Sequence, residues 1–174
     1  MDTVPRILVD DSASVSIGGN VEIRKDVEIR AHGSSRITVE DGVRIDRGVR
    51  ILAANDSEVV VGKDSRIGLY SVLNGGDSIE IGSKVLISGF VFLQTSMHAF
   101  SDADTPIQDQ GYVHGRIRIG QGAWLAAHVV VMPGISVGRE AIVGSNAVVT
   151  RDVGEGHVAA GVPAEKIKVR NGMN

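Results

Sequence analysis

His98 is followed at four and six residues by Asp102 and Asp104, inside the stretch LQTSMHAFSDADTPIQDQGYVHGRIRIG that runs from Leu93 to Gly120. An imidazole titrating at about pH 6.5 can take a proton from an attacking hydroxyl at neutral pH and return it to a leaving group. A carboxylate at Asp102, or less directly at Asp104, could accept the other ring N–H and hold its tautomer, as the aspartate of a catalytic triad does. A backbone carbonyl could make the same bond, and SDADTP is equally a solvated, turn-forming acidic run. The chain contains no cysteine, which excludes thiol nucleophiles, disulfides and thiolate metal sites.

The flanks show what must position this stretch. An aliphatic residue recurs every six positions: Ile17, Ile23, Ile29; Val39, Ile45, Ile51; Val61, Ile67, Leu73; Ile81, Ile87, Leu93; then Ile119, Leu125, Val131, Val137, Val143 and Val149. Four residues after most of these stands a small or aliphatic side chain, such as Val27, Val49, Ser71, Ala123 or Ala147. A helical period explains none of this, and the β-branched doublets favour strands. Extra residues enter only after every third hexad: four after Ile29 and Ile51, two after Leu73, twenty after Leu93. The grouping predicts coils of three short strands with all insertions leaving from one corner. The fold class is therefore all-β, a triangular parallel β-helix of about 6–7 coils beginning near Ile7. Coils stack about 4.8 Å apart, and the repeat buries a continuous core that no single coil could. The boundaries are 1–155 for the β-helix, with an extruded loop at about 94–116, and 156–174 for a C-terminal strand and short amphipathic helix.

Composition bounds the rest. The chain of 174 residues is 43% hydrophobic but only 3% aromatic, so its core is aliphatic. A formal charge of −3 gives no nucleic-acid footprint. The opening MDTVPRILVDDSASV lacks the pattern of a signal peptide. With the missing cysteines, this sets the expectation of a cytoplasmic protein without a transmembrane segment.

The hexads, the segment IGQGAWLAAHVVVMPGISVGREAIVGSNAVVTRDV and the tail VAAGVPAEKIK resemble the hexapeptide-repeat acyltransferases. Within them, HAFSDADTPIQDQG is similar to sugar O-acetyltransferases of polysaccharide and capsule biosynthesis, and more distantly to maltose and galactoside acetyltransferases. The resemblance implies left-handed coils, acetyl-CoA as co-substrate, a homotrimer with sites between subunits, and His98 as general base for direct attack by a hydroxyl. It places Trp124 beside the acetyl-CoA or acceptor site. Trp124 follows the inward Ala123 and so points outward. Ala126, Ala127, Gly144 and Ser145 would let the pantetheine arm lie against backbone, and Thr150, Arg151, Pro163 and Lys166 would meet the adenine and phosphate end. The chain reads WLAAH where WIGAN is usual, so Ala126 replaces a glycine. Tyr70, Asn74, Gln94 and His114 are the candidate acceptor contacts. No metal is expected, because the closely spaced histidine pair of the β-helical carbonic anhydrases has no counterpart. Two rivals stay open: an N-acetyltransferase of an amino-sugar nucleotide, and a non-catalytic β-helix scaffold subunit.

Overall fold

Residues 4–170 are described by a computed structural model, and they form seven coils with three flat faces. Face I stacks Arg6–Val9, Glu28–Ala31, Arg50–Ala53, Val72–Gly75, Phe92–Gln94, Val130–Val131 and Val148–Val149 in parallel. Face II stacks six strands from Ser14–Ile17 to Ser136–Val137, and face III begins with Glu22–Ile23 and reaches His157–Ala160. Each strand pairs with its counterpart one coil away, so Ile29, Ile51, Leu73, Leu93, Val131 and Val149 form one inward column, each 0–1% exposed. The winding is that of a left-handed β-helix.

Where the chain turns inside the prism, the inward side chains run mainly from serine and alanine to valine. Ser65 and Ser71 fill such places with their hydroxyls paired: each donates to a carbonyl of the next coil, Gly82 or Ser88, at 2.9 Å and accepts an N–H from Val85 or Val91. Backbones approach closely at the same corners. A methyl group on Gly120 would stand 2.4 Å from the Arg139 nitrogen, which explains why glycine recurs after the inward position.

All insertions leave from the corner between faces I and II, because each follows a face I strand. The longest is a β-hairpin in coil 5, Ser96–His98 paired antiparallel with Tyr112–His114, with a single 3-10 turn at Ile107–Asp109 near its tip. The C-terminal expectation needs correction. Glu165–Val169 is not a helix but a strand, antiparallel to His157–Ala160 at the end of face III. The parallel face ends there with unpaired backbone groups, and a returning strand satisfies them. Residues 171–174, the end of the expected helix, lie outside the described residues.

Replacing Leu93, fully buried in the middle coils, by alanine should cost about 2–5 kcal/mol in urea unfolding. Ser34→Ala, on an exposed turn, should stay within about 0.5 kcal/mol. Equal costs would contradict a single inward column as the main source of stability.

Candidate active site

The hairpin is anchored before it leaves the prism. Thr95, fully buried, donates its hydroxyl to the Asn74 carbonyl at 2.6 Å and accepts the Asp77 N–H at 3.0 Å, while its own carbonyl accepts the Gly115 N–H at 2.9 Å. Asn74 Nδ2 donates to Gln94 Oε1 at 3.1 Å, and Gln94 Nε2 turns back to the Ser96 carbonyl. Two candidate acceptor contacts are thus bonded to each other at the hairpin's foot. His114 is held on the hairpin itself, its Nδ1 2.8 Å from Ser96 Oγ.

His98 stands three residues beyond Thr95, on the first strand of the hairpin and within the expected extruded loop. It is exposed, directly opposite Tyr112 in the antiparallel register, with the two rings 4.5 Å apart and tilted by 34°. The phenol ring restricts one side of the imidazole and leaves its nitrogens without a hydrogen bond among the described residues. A histidine so placed is free to receive a proton from an incoming group. Tyr112 escaped the sequence reading, although the pairing of SMH with YVH across the loop carried the signal.

Asp102 does not orient this ring. Its Oδ1 accepts the Asp104 N–H at 3.0 Å and its Oδ2 the Thr105 hydroxyl at 2.7 Å, and Gln110 closes the turn by bonding both the Asp102 N–H and its carbonyl. The carboxylate is consumed by its own turn, so the aspartate orienter expected from spacing is a loop-forming residue in this chain. Thr105's hydroxyl, with the Asp104 N–H, holds the Asp102 carboxyl below its ordinary value of 3.8.

Trp124 lies on face III, 42% exposed, and its indole N–H donates to Ser88 Oγ of the coil below at 3.1 Å. Ala126 and Gly144 directly follow the paired Leu125 and Val143 on the same face, the Ala126 N–H donating to the Val143 carbonyl at 2.9 Å, and Ala127 and Ser145 sit on the adjoining corner between faces III and I. Pro163 is exposed in the turn after His157–Ala160, and Lys166 is exposed on the antiparallel strand that closes face III. Thr150 and Arg151 instead follow the face I strand, and Arg151 approaches Glu165 at 3.9 Å. Tyr70 is separated from the other acceptor candidates. It occupies the corner between faces III and I, where its ring stacks on Phe90 at 5.5 Å and Phe90 on His128 at 4.9 Å. All three residues have positive φ, between 53° and 61°.

Within one chain, His98 and Trp124 are divided. The hairpin leaves from the I–II corner, the one corner that does not border face III. No hydrogen bond or ring contact joins them among the described residues. No group of three or more metal-ligating side chains occurs among those residues, and no helix there is long and apolar enough to cross a membrane.

Residues 116–151, which include Trp124 and the small residues of face III, match the family described as bacterial transferase hexapeptide (six repeats). The chain carries the hexapeptide repeat of that transferase family. It is 32% identical over 159 residues to a Mycobacterium tuberculosis protein named a probable acetyltransferase, covering 91% of this chain and 45% of that protein. It is 28% identical over 120 residues to the galactoside O-acetyltransferase of Escherichia coli, covering 66% of this chain and 56% of the relative. The chain thus spans about half the length of the curated relatives it matches. The N-acyltransferase AntD of Bacillus cereus, solved with dTDP and 3-hydroxybutyryl-CoA, superposes with a TM-score of 0.75 at 27% identity, covering 90% of this chain and 83% of that one.

The Asp102 turn carries a pH test. A carboxyl held below its unfolded value stabilises the turn fully above that value and loses this as pH falls through the folded pKa. Nuclear magnetic resonance titration of the Asp102 carboxyl carbon should give a midpoint below 3.8, raised by Thr105→Val. A midpoint at or above 3.8 would remove the hydrogen-bond assignment.

Proposed function

We propose that the chain is an acetyl-CoA-dependent O-acetyltransferase acting on a hydroxyl of a sugar or polysaccharide precursor. It works in the cytoplasm as a homotrimer, with each site formed between two subunits. The observation that carries the reading is His98, unbonded and exposed on a hairpin that projects away from its own Trp124. In parallel prisms the hairpin of one chain reaches face III of the next, which brings a base from one subunit to a Trp and a small-residue face from another.

The chemistry follows from what the chain holds. His98 takes the acceptor's hydroxyl proton as that oxygen attacks the thioester carbonyl, then gives the proton to the departing thiolate. The absence of cysteine removes a thiol acyl-enzyme route, and direct attack by the acceptor hydroxyl is the natural mechanism. Ala126 and Gly144, at the ends of the paired strands Trp124–Leu125 and Ile142–Val143 on face III, leave room for a slender arm against the backbone, with Ala127 and Ser145 beside it. Lys166, exposed near the tail, supplies positive charge for phosphates. Asn74 and Gln94 position the hairpin foot, and His114 stays the acceptor contact nearest His98 on the hairpin.

The likeness to an N-acyltransferase supports a second reading, transfer to the amine of an amino-sugar nucleotide, for which the same base serves. Turnover against panels of sugars and amino-sugars separates the two.

His98→Ala should keep acetyl-CoA binding by calorimetry and lower kcat by about 10²–10⁴-fold. Absence of acetyl-CoA binding would sink the transferase reading, and unchanged turnover would sink the base. Co-expressed His98→Ala and Trp124→Ala chains should regain activity that neither has alone, since some mixed interfaces carry both intact groups.

A further inference from the structure

Face III carries a groove of about 810 Å³ along coils 1 to 4, on the N-terminal side of Trp124. Its charged lining is five cations, Arg24, Lys25, Arg44, Arg47 and Arg66, against the two carboxylates Glu22 and Asp46. This concentration of positive charge stands on a chain whose formal charge is −3.

The other two faces show what a solvated arginine looks like in this fold. On face I, Glu28 lies between Arg6 and Arg50, which approach it at 3.7 and 3.0 Å. On face II, Arg36 meets Glu58 at 3.7 Å and Arg118 meets Glu80 at 3.6 Å. Opposite charges alternate from coil to coil there, because like charges side by side on neighbouring strands are destabilising.

Face III breaks the alternation. Arg44 and Arg66 are direct register partners. Arg44 shares Glu22 with Arg24, at 3.7 and 2.6 Å, whereas the coil above Arg66 offers only Leu86. The Arg66 and Arg47 guanidiniums make no ion pair or hydrogen bond among the described residues. Two adjacent guanidiniums about one coil apart, roughly 4.8 Å, suit an anion with several oxygens, which each fork can bind through two N–H groups. The groove also meets the candidate active site. Ser88, which accepts the Trp124 indole N–H, is among its lining residues at the coil 4 end.

We infer that this groove holds the anionic group of the acceptor, so that the chain's substrate is an acidic sugar whose phosphate, diphosphate or carboxylate lies against Arg44 and Arg66 while its hydroxyl reaches Trp124. The inference rests on the acetyltransferase reading for the word acceptor. It gives face III two halves: the basic N-terminal coils for the acceptor and the small-residue C-terminal coils for the donor. The anion has two sources, a nucleoside-diphosphate sugar or an acidic glycan.

Calorimetry on the full chain saturated with CoA tests it, with dTDP, a polyglucuronate oligosaccharide and neutral maltotriose as probes. At least one acidic probe should bind more tightly than maltotriose. Arg44→Gln/Arg66→Gln should weaken that probe by about tenfold or more, while Arg118→Gln on face II leaves it within twofold. Preference for dTDP assigns a nucleotide-linked acceptor, and preference for the oligosaccharide assigns an acidic glycan. The inference is overturned if no acidic probe exceeds maltotriose, if the double variant binds as well as the parent, if Arg118→Gln loses as much, or if CoA displaces the probe. Failure of CoA to bind is a separate result that overturns the transferase reading. The titrations are then run on the chain alone and decide the groove by the same criteria.

Discussion

The parallel backbone ladder between successive coils governs the rest of the molecule. Each strand donates to and accepts from its counterpart about 4.8 Å away, so every residue has one fixed neighbour above and one below. The chemistry of a position is then the chemistry of its column. Inward columns are aliphatic because no solvent reaches them, and the tightest corners take glycine because a neighbouring backbone lies where a Cβ would be. Where charges stand on neighbouring coils of faces I and II, as with Arg6, Glu28 and Arg50 or Arg36 and Glu58, they are of opposite sign because neighbours of like sign repel.

This column logic explains which features were legible in the sequence. Hexads such as Val61, Ile67 and Leu73 announced the coils directly, since burial at every sixth residue leaves a period that no helix produces. The corner of departure was legible too, because Ile29, Ile51, Leu73 and Leu93 all lie on a face I strand, and the extra residues follow that strand each time. Winding sense was not, as the spacing is identical for either hand.

Where the ladder stops, sequence reasoning lost its footing. The hairpin follows antiparallel pairing, so the contact of His98 with Tyr112 depends on a register that no hexad encodes. Asp102 stood at a plausible distance along the chain, yet Thr105 and Asp104 are nearer competitors for its oxygens. Short local bonds form more readily than a bond that needs a whole loop ordered around it. The C-terminal run was misjudged for a related reason. Its fate is decided by the open edge beside His157–Ala160, which exists only once seven coils are stacked. Trp124 was placed correctly as outward, but that it faces away from its own hairpin required the three faces to be assigned.

The single corner of departure serves the prism as an expansion joint. Coils 2 to 5 carry insertions of different length there, and the ladders on faces I, II and III run on in register past every one of them. Chain length can therefore change at that corner without shifting any other column. A residue added at either of the other two corners would have no slack to absorb it and would turn a buried side chain toward water. Change in chain length is thereby channelled to one edge, the same edge that carries His98.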